Sequence, residues 1–160
     1  MTFQQATQED AKEIFILYRA AIGSDGCTWS MDYPSEETIA FDMKRDALFC
    51  IKDGNEIVGA ISQDMDEAVE TLTCWSPHLK PVGELSRLVV KEGYQNQGIA
   101  KDLLKGGMKV LKERGYKGVH FLVCKNHKKA INAYKKLEFT NVGECELFGH
   151  PFWCYEKELE

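Results

Sequence analysis

The segment Leu88–Lys101, LVVKEGYQNQGIAK, holds the densest chemistry in the chain. It reads as a strand, a tight turn and the start of a helix. A helix start leaves backbone N–H groups without intrahelical partners and turns the positive end of the helix dipole outward. Gly98 and Ala100 are small enough to let an anion reach those groups, and a pyrophosphate suits such a place. Gln95 adds an amide donor. No Gly-Lys-Ser/Thr follows, so this is not a Walker loop, and the Gly-x-Gly-x-x-Gly dinucleotide turn is absent too. Taken alone, the segment also fits an ordinary strand-to-helix turn whose glycine serves only the backbone angles.

Three more residues carry polar side chains at places that matter to the fold or the chemistry. Glu84 opens the strand that leads into the turn. By its place alone it reads as a solvated carboxylate at a strand end. Tyr134 shares its helical spacing with Ile131 and Leu137, which fits a core aromatic. Asn126 stands between a strand and a helix, where it would cap the helix, bind a ligand, or both. His120 and His127 read as surface or packing residues, and His150 falls in the last hairpin. The six cysteines, Cys27, Cys50, Cys74, Cys124, Cys145 and Cys154, form no C-x-x-C pair and no zinc spacing. They read as reduced thiols, mostly in the core, with Cys74 the most exposed, and no metal site is expected.

The elements that must position these residues follow from periodicity and turn chemistry. Phe3–Ala6 predicts a short strand. Thr7, with Asp10 three residues on, starts a helix whose apolar side runs through Ala11, Ile14, Phe15, Leu17, Tyr18 and Ala21 to a stop at Gly23. A loop with Trp29 and Tyr33 leads to Ser35, which caps a second helix carrying Ile39, Ala40 and Met43. ALFCIKD and EIVGAISQD, around Asp53-Gly54-Asn55, predict a hairpin. Met65–Pro81 is less regular, and Trp75, Ser76 and Pro77 suggest a loop there. Glu84–Val90 is a strand, and a helix from Ile99 to Arg114 turns Leu103, Leu104, Met108 and Leu111 inward. Gly106 and Gly107 inside that helix cost about 1 kcal/mol each against alanine and imply close packing on a sheet. GVHFLVC is a buried strand and HKKAINAYKKL a short helix. FTNVGECELF and FWCYEKEL are final strands joined through Gly149, His150 and Pro151. Strands that alternate only in part with helices predict an α/β fold with a mixed sheet and helices on both faces.

Gln95-Asn96-Gln97-Gly98-Ile99-Ala100 resembles the Q/R-x-x-G-x-G/A motif of the GNAT N-acetyltransferase superfamily. Leu88-Val89-Val90 before it, the long helix after it, and Asn126 through Tyr134 to Phe139 resemble the same family's pattern in order. The resemblance covers Glu84 to Phe139 in motif detail and the whole chain in element order. Ala100 stands where many members have glycine, and Glu92 where proline is frequent. The resemblance implies a six- to seven-stranded, mostly antiparallel sheet splayed between strands four and five and flanked by about four helices. It implies acetyl-CoA as cosubstrate, with its pantetheine arm on the backbone of Leu88, Val89 and Val90. Gln95, Asn96, Gln97, Gly98, Ile99, Ala100 and Lys101 would wrap the pyrophosphate, and Asn126 would bond the arm. Tyr134 would protonate the departing thiolate and Glu84 would act as base, directly or through water. The implied reaction is acetyl transfer to a primary amine of a small molecule, peptide or protein by direct attack. The alternative is a non-catalytic acyl-CoA-binding or regulatory module on the same fold. Late strands of this family often pair across a homodimer. Its acceptor site is walled by the first helices and the late hairpin. That makes Trp29, Met31, Tyr33, Phe148 and Phe152 candidate lining, with Asp25, Asp32 and Glu146 able to attract a cation.

Composition agrees with one domain over residues 1–160. Hydrophobic residues at 44% can fill a single core, and charged residues at 28% argue against disorder. A net charge of −5 makes a nucleic-acid partner unexpected, because phosphate contacts need clustered Lys and Arg. No apolar run reaches the roughly 18 to 20 residues of a membrane span. The polar start MTFQQATQED is no signal peptide, so a cytoplasmic location is expected.

Overall fold

Gly54 takes a φ of 62°, a left-handed angle that costs glycine little, and turns the chain back after two residues. Strands β2 (Leu48–Asp53) and β3 (Glu56–Asp64) therefore pair antiparallel, and both are buried along most of their length. The computed structural model describes residues Met1–Glu160. Around that hairpin stand β1 (Thr2–Gln5), α1 (Ala11–Ala21), α2 (Glu36–Lys44), α3 (Glu67–Glu70), β4 (Val82–Val90), α4 (Ile99–Glu113), β5 (Gly118–Cys124), α5 (Lys128–Lys136), β6 (Thr140–Leu147) and β7 (His150–Glu158). The seven strands form one sheet in the order β1-β2-β3-β4-β5-β7-β6. Only β4 and β5 run parallel; every other neighbouring pair is antiparallel.

Each face of the sheet carries its own core. Under α4 and α5, Leu103, Leu104, Leu111 and Tyr134 pack on Phe49, Ile61, Leu85, Val119 and Phe121. Under α1 and α2, Ile14, Leu17, Tyr18 and Ile39 pack on Leu48, Cys50, Ile57, Ala60 and Val89. A fully buried leucine such as Leu103 or Leu111 contributes about 2 kcal/mol by leaving water. The helix glycines are explained by contact. A Cβ on Gly106 would lie 2.4 Å from the Phe3 ring, and one on Gly107 would lie 3.0 Å from Leu85. On the strand side, a Cβ on Gly59 would lie 2.9 Å from Leu103. These glycines let α4 settle directly onto the strands.

Several boundaries differ from the sequence expectation. The first strand is Thr2–Gln5 rather than Phe3–Ala6, although the Ala6 N–H still bonds the Leu48 carbonyl at 2.9 Å. Met65–Pro81 is not all loop. Asp66 accepts the Ala68 N–H at 2.9 Å and caps the one-turn helix α3, and a 3-10 turn follows at Pro77–Leu79. That one turn makes five helices where about four were expected. β4 begins at Val82, ahead of Glu84, because Val82 and Gly83 pair with β5. The last hairpin turns on Phe148 and Gly149, with φ of 55° and 78°, so His150 and Pro151 already belong to β7. No helix is long and apolar enough to cross a membrane.

Candidate active site

The sheet is held together at its middle by a short seam. β4 pairs with β5 only where Val82–Glu84 faces Gly118–His120, and beyond that point the two strands part. On its other side β4 stays paired with β3, but the register slips between Ala60 and Ser62, and Arg87 takes a φ of 50° at the bulge. The Lys91 N–H bonds the Val58 carbonyl at 2.8 Å, so position 91 faces β3. Alternation then turns the N–H and C=O of Val90, and by the same period those of Leu88, toward the gap left by β5. The Leu88 and Val90 side chains lean on the core beneath α4, whereas the Val89 side chain lies in the core beneath α1.

The turn after β4 is built to present N–H groups. Gly93, Asn96 and Gly98 take φ of 91°, 63° and 82°. Gly98 precedes α4 without any side-chain cap, and a Cβ there would meet nothing within 4 Å. No backbone N–H from Gln95 through Lys101 donates to any group of the chain; the first to do so is that of Asp102, to the Gly98 carbonyl at 3.0 Å. Such a run of donors at the positive end of a fifteen-residue helix has the geometry and polarity that suit an anion. Gln97 spends its amide on the Gly93 carbonyl at 3.2 Å, while the Gln95 and Asn96 side chains stay exposed. Ile99 is buried and anchors the helix start; Ala100 is half-buried and Lys101 exposed. An ion pair of Lys91 with Glu56, joined by the Tyr94 hydroxyl donating to Glu56 at 3.1 Å, ties the turn to β3.

Glu84 and Tyr134 approach the seam from opposite faces. Leu85 points into the core beneath α4 and α5, so Glu84 beside it points to the other face. Its carboxyl is buried and accepts the Asp66 N–H at 3.3 Å. Burial first, and then the nearby charges of Asp64 and Asp66, push its pKa up to about 9 against the pull of the Asp66 N–H and Arg87. Tyr134 sits edge-on to Phe121 at 4.6 Å, and burial alone pushes its phenol upward. Asn126 is exposed just past β5 and is not the helix cap. His127 takes that place, with Nδ1 accepting the Ala130 N–H at 3.3 Å.

Sequence reasoning missed the buried ion network beside Glu84. Arg87 donates to both Asp42 oxygens at 2.8 and 2.9 Å, to Asp64 at 2.8 Å and to the Tyr33 hydroxyl at 2.9 Å. Asp42 also accepts from Ser62 at 2.8 Å and Arg45 at 2.7 Å. The only signal was one arginine inside the apolar run ELSRLVV. The network floors a cleft of about 440 Å³ lined in part by Tyr33, Glu37, Phe41, Asp64, Asp66 and Glu67. Of the expected lining, Tyr33 is there. Trp29 packs instead on Tyr18 at 5.2 Å, Phe152 is buried, and Met31 and Phe148 lie exposed. The cleft's carboxylates are not Asp25, Asp32 or Glu146. A larger hollow of about 500 Å³, at the far end of α4 from the turn, is lined mainly by lysines and glutamates and lies away from the seam. No group of three or more His, Cys, Asp or Glu is placed to hold a metal ion.

Comparison with known proteins agrees with this fold. The model of the acetyltransferase (GNAT) family matches residues 11–139. Among solved structures, an N-acetyltransferase from Staphylococcus aureus Mu50 superposes with a TM-score of 0.78 at 18% identity, covering 99% of this chain and 98% of its own. The ribosomal-protein-S18-alanine N-acetyltransferase from Escherichia coli gives 0.76 at 16% identity, covering 99% and 94%. The protein yncA from Salmonella typhimurium, solved with its cofactor acetyl-CoA, gives 0.78 at 16% identity, covering 100% and 94%. At such identities the likeness is one of fold.

Proposed function

Because the chain belongs to the GNAT acetyltransferase family, we propose that it moves the acetyl group of acetyl-CoA to a primary amine by direct attack. The observation that carries this reading is the run of unbonded N–H groups from Gln95 to Lys101 beside the open edge of β4. The pyrophosphate of CoA takes the N–H groups of Gln95, Asn96, Gln97, Gly98, Ile99, Ala100 and Lys101. The pantetheine amides take the backbone groups that Leu88 and Val90 turn to the gap, while Val89 between them secures the strand. Asn126, free of any capping duty, bonds the arm from the end of β5. The bound thioester supplies an activated acetyl carbon and a thiolate leaving group.

The chain's own groups then move protons and hold charge. In its carboxylate form, a fraction that grows as pH approaches about 9, Glu84 takes a proton from the ammonium, whose ordinary pKa is near 10. A carboxyl raised to about 9 is far better matched to that task than an ordinary one near 4.5. The amine nitrogen attacks the acetyl carbon, and a backbone N–H on the open edge of β4 steadies the charge that gathers on the carbonyl oxygen. The carbon–sulfur bond breaks, and Tyr134 gives the thiolate its proton from the opposite face. A phenol held above its ordinary pKa stays protonated until the thiolate forms beside it.

Calorimetric titration with CoA, and thiol release from acetyl-CoA over a panel of polyamines, amino acids, aminoglycosides and peptides, test the proposal. Binding of CoA with turnover on some amine is expected. Binding without turnover on any acceptor points to an acyl-CoA-binding module, and absence of CoA binding removes the assignment.

A further inference from the structure

His120, on the middle strand of three, is buried and finds no partner in the chain for either ring nitrogen. The register sets it directly opposite Glu84 on β4 and directly opposite Glu156 on β7. Residues opposite one another share a face, so Glu84, His120 and Glu156 form a row on the face of the sheet away from α4 and α5. Trp75 lies over the imidazole, with ring centroids 4.2 Å apart and planes 29° from parallel. Trp75 is itself pinned by its indole N–H to the Val69 carbonyl at 2.8 Å, and Glu156 by the Ser76 N–H at 2.9 Å. Burial pushes the imidazole down to about 4 although Glu156 pulls it up, so the ring is neutral at ordinary pH.

A neutral imidazole has one N–H to give and one bare nitrogen to accept with. Buried groups of this kind find a partner in nearly every protein, and here that partner must come from outside the chain. The groups facing the ring are Glu84 from β4, Glu156 from β7 and Trp75 from the loop after α3, with Asp64 one strand beyond Glu84. The charge of Glu156 favours the tautomer with its proton on that side, which leaves the bare nitrogen toward Glu84.

We propose that His120 is a positioning residue for Glu84: its bare nitrogen holds a water against the carboxylate, and the amine's proton crosses that water to reach Glu84. The water gives one hydrogen to the imidazole and one to the carboxylate, so its oxygen faces the incoming ammonium. An ammonium N–H bond breaks as its proton joins the water oxygen. A water O–H bond breaks as its proton joins Glu84. The water is restored, and the amine keeps its electron pair for attack. The inference rests on Glu84 being the group that takes the amine's proton.

The test is acceptor-free nuclear magnetic resonance on the whole chain. Nitrogen-15 spectra of His120 in the unsubstituted protein should show one neutral tautomer with a hydrogen-bonded bare nitrogen. Carbon-13 titration of the Glu84 carboxyl should then be compared across the unsubstituted protein, His120→Phe and His120→Gln. Phenylalanine keeps the stack under Trp75 without a nitrogen, and glutamine restores an acceptor. The Glu84 midpoint should rise by about one pH unit in His120→Phe, because a donor to the carboxylate is lost, and return in His120→Gln. An unbonded nitrogen or an even mixture of tautomers overturns the inference with no variant needed. So does a midpoint equal in all three proteins. Failure of CoA binding or of acetyl transfer would overturn the proposed function instead, by a different measurement.

Discussion

Replacing Glu84 with glutamine should stabilise the protein while it abolishes most of its activity. The carboxyl titrates at about 9 in the fold against 4.5 in the unfolded chain. Below pH 4.5 both states hold the proton. Between 4.5 and about 9 only the folded state holds it, so unfolding releases a proton and stability falls as pH rises. At pH 7 the loss comes to about 3 kcal/mol. Glutamine has the same shape, carries no charge, and can still accept the Asp66 N–H through its amide oxygen. Its advantage over glutamate should be near zero at pH 4.5 and grow by about 1.4 kcal/mol per pH unit up to about pH 9. For a chain of this length that is a rise in Tm of roughly 6–12 °C at pH 7. Urea unfolding or scanning calorimetry of both proteins at pH 5, 6, 7 and 8 reads it directly, and the difference cancels the other titrating groups. Thiol release should fall at least about a hundredfold, the ordinary share of a general base. A stability difference that does not change with pH, or a variant less stable than the parent at pH 8, would refute the reasoning.

Three further substitutions probe separate parts of the site. Gly98→Ala meets no clash but forces a methyl group into the left-handed region at a cost of about 1 kcal/mol, on the side from which an anion reaches the N–H groups. Calorimetry should show the Kd for CoA rising about tenfold, and an unchanged Kd would move the cradle elsewhere. Arg87→Met strips Asp42 and Asp64 of their shared cation and should cost about 3–5 kcal/mol in urea unfolding; adding Asp42→Leu should recover much of it. Tyr134→Phe should leave stability nearly unchanged, since only burial acts on the phenol, and slow thiol release at least about tenfold. An equal rate would remove Tyr134 from the chemistry.

What the sequence disclosed and what it hid divide along one physical line. Local rules placed the turn, the long helix and the hairpin. The spacing of Leu103, Leu104 and Leu111 can serve only one helix face, and Gly54 and Gly98 fit tight turns at once. Chain order alone could not place what depends on contacts between distant segments. Asp42 on α2, Asp64 on β3 and Arg87 on β4 meet only after three elements pack, so the ion network left almost no trace in any one segment. His120 read as a surface or packing residue because alternation within GVHFLVC does not say what covers the second face; Trp75, arriving from an irregular loop, does. Asn126 read as a ligand to the pantetheine arm, as a cap, or as both; the cap falls one residue later, where the His127 ring reaches back to Ala130. The bulge at Arg87 has no sequence signal beyond the break in alternation across ELSRLVV.

The short seam between β4 and β5 makes the sheet mechanically unlike its strand count. It is two stiff plates, β1-β2-β3-β4 and β5-β7-β6, clipped together at one end by three residue pairs. A pantetheine arm laid along the gap would supply the missing rungs and act as a temporary crosspiece between the plates. Melting should then depend on CoA concentration, and the amide of Val90 should exchange with solvent quickly until the crosspiece is in place, while that of Lys91 next to it stays protected throughout.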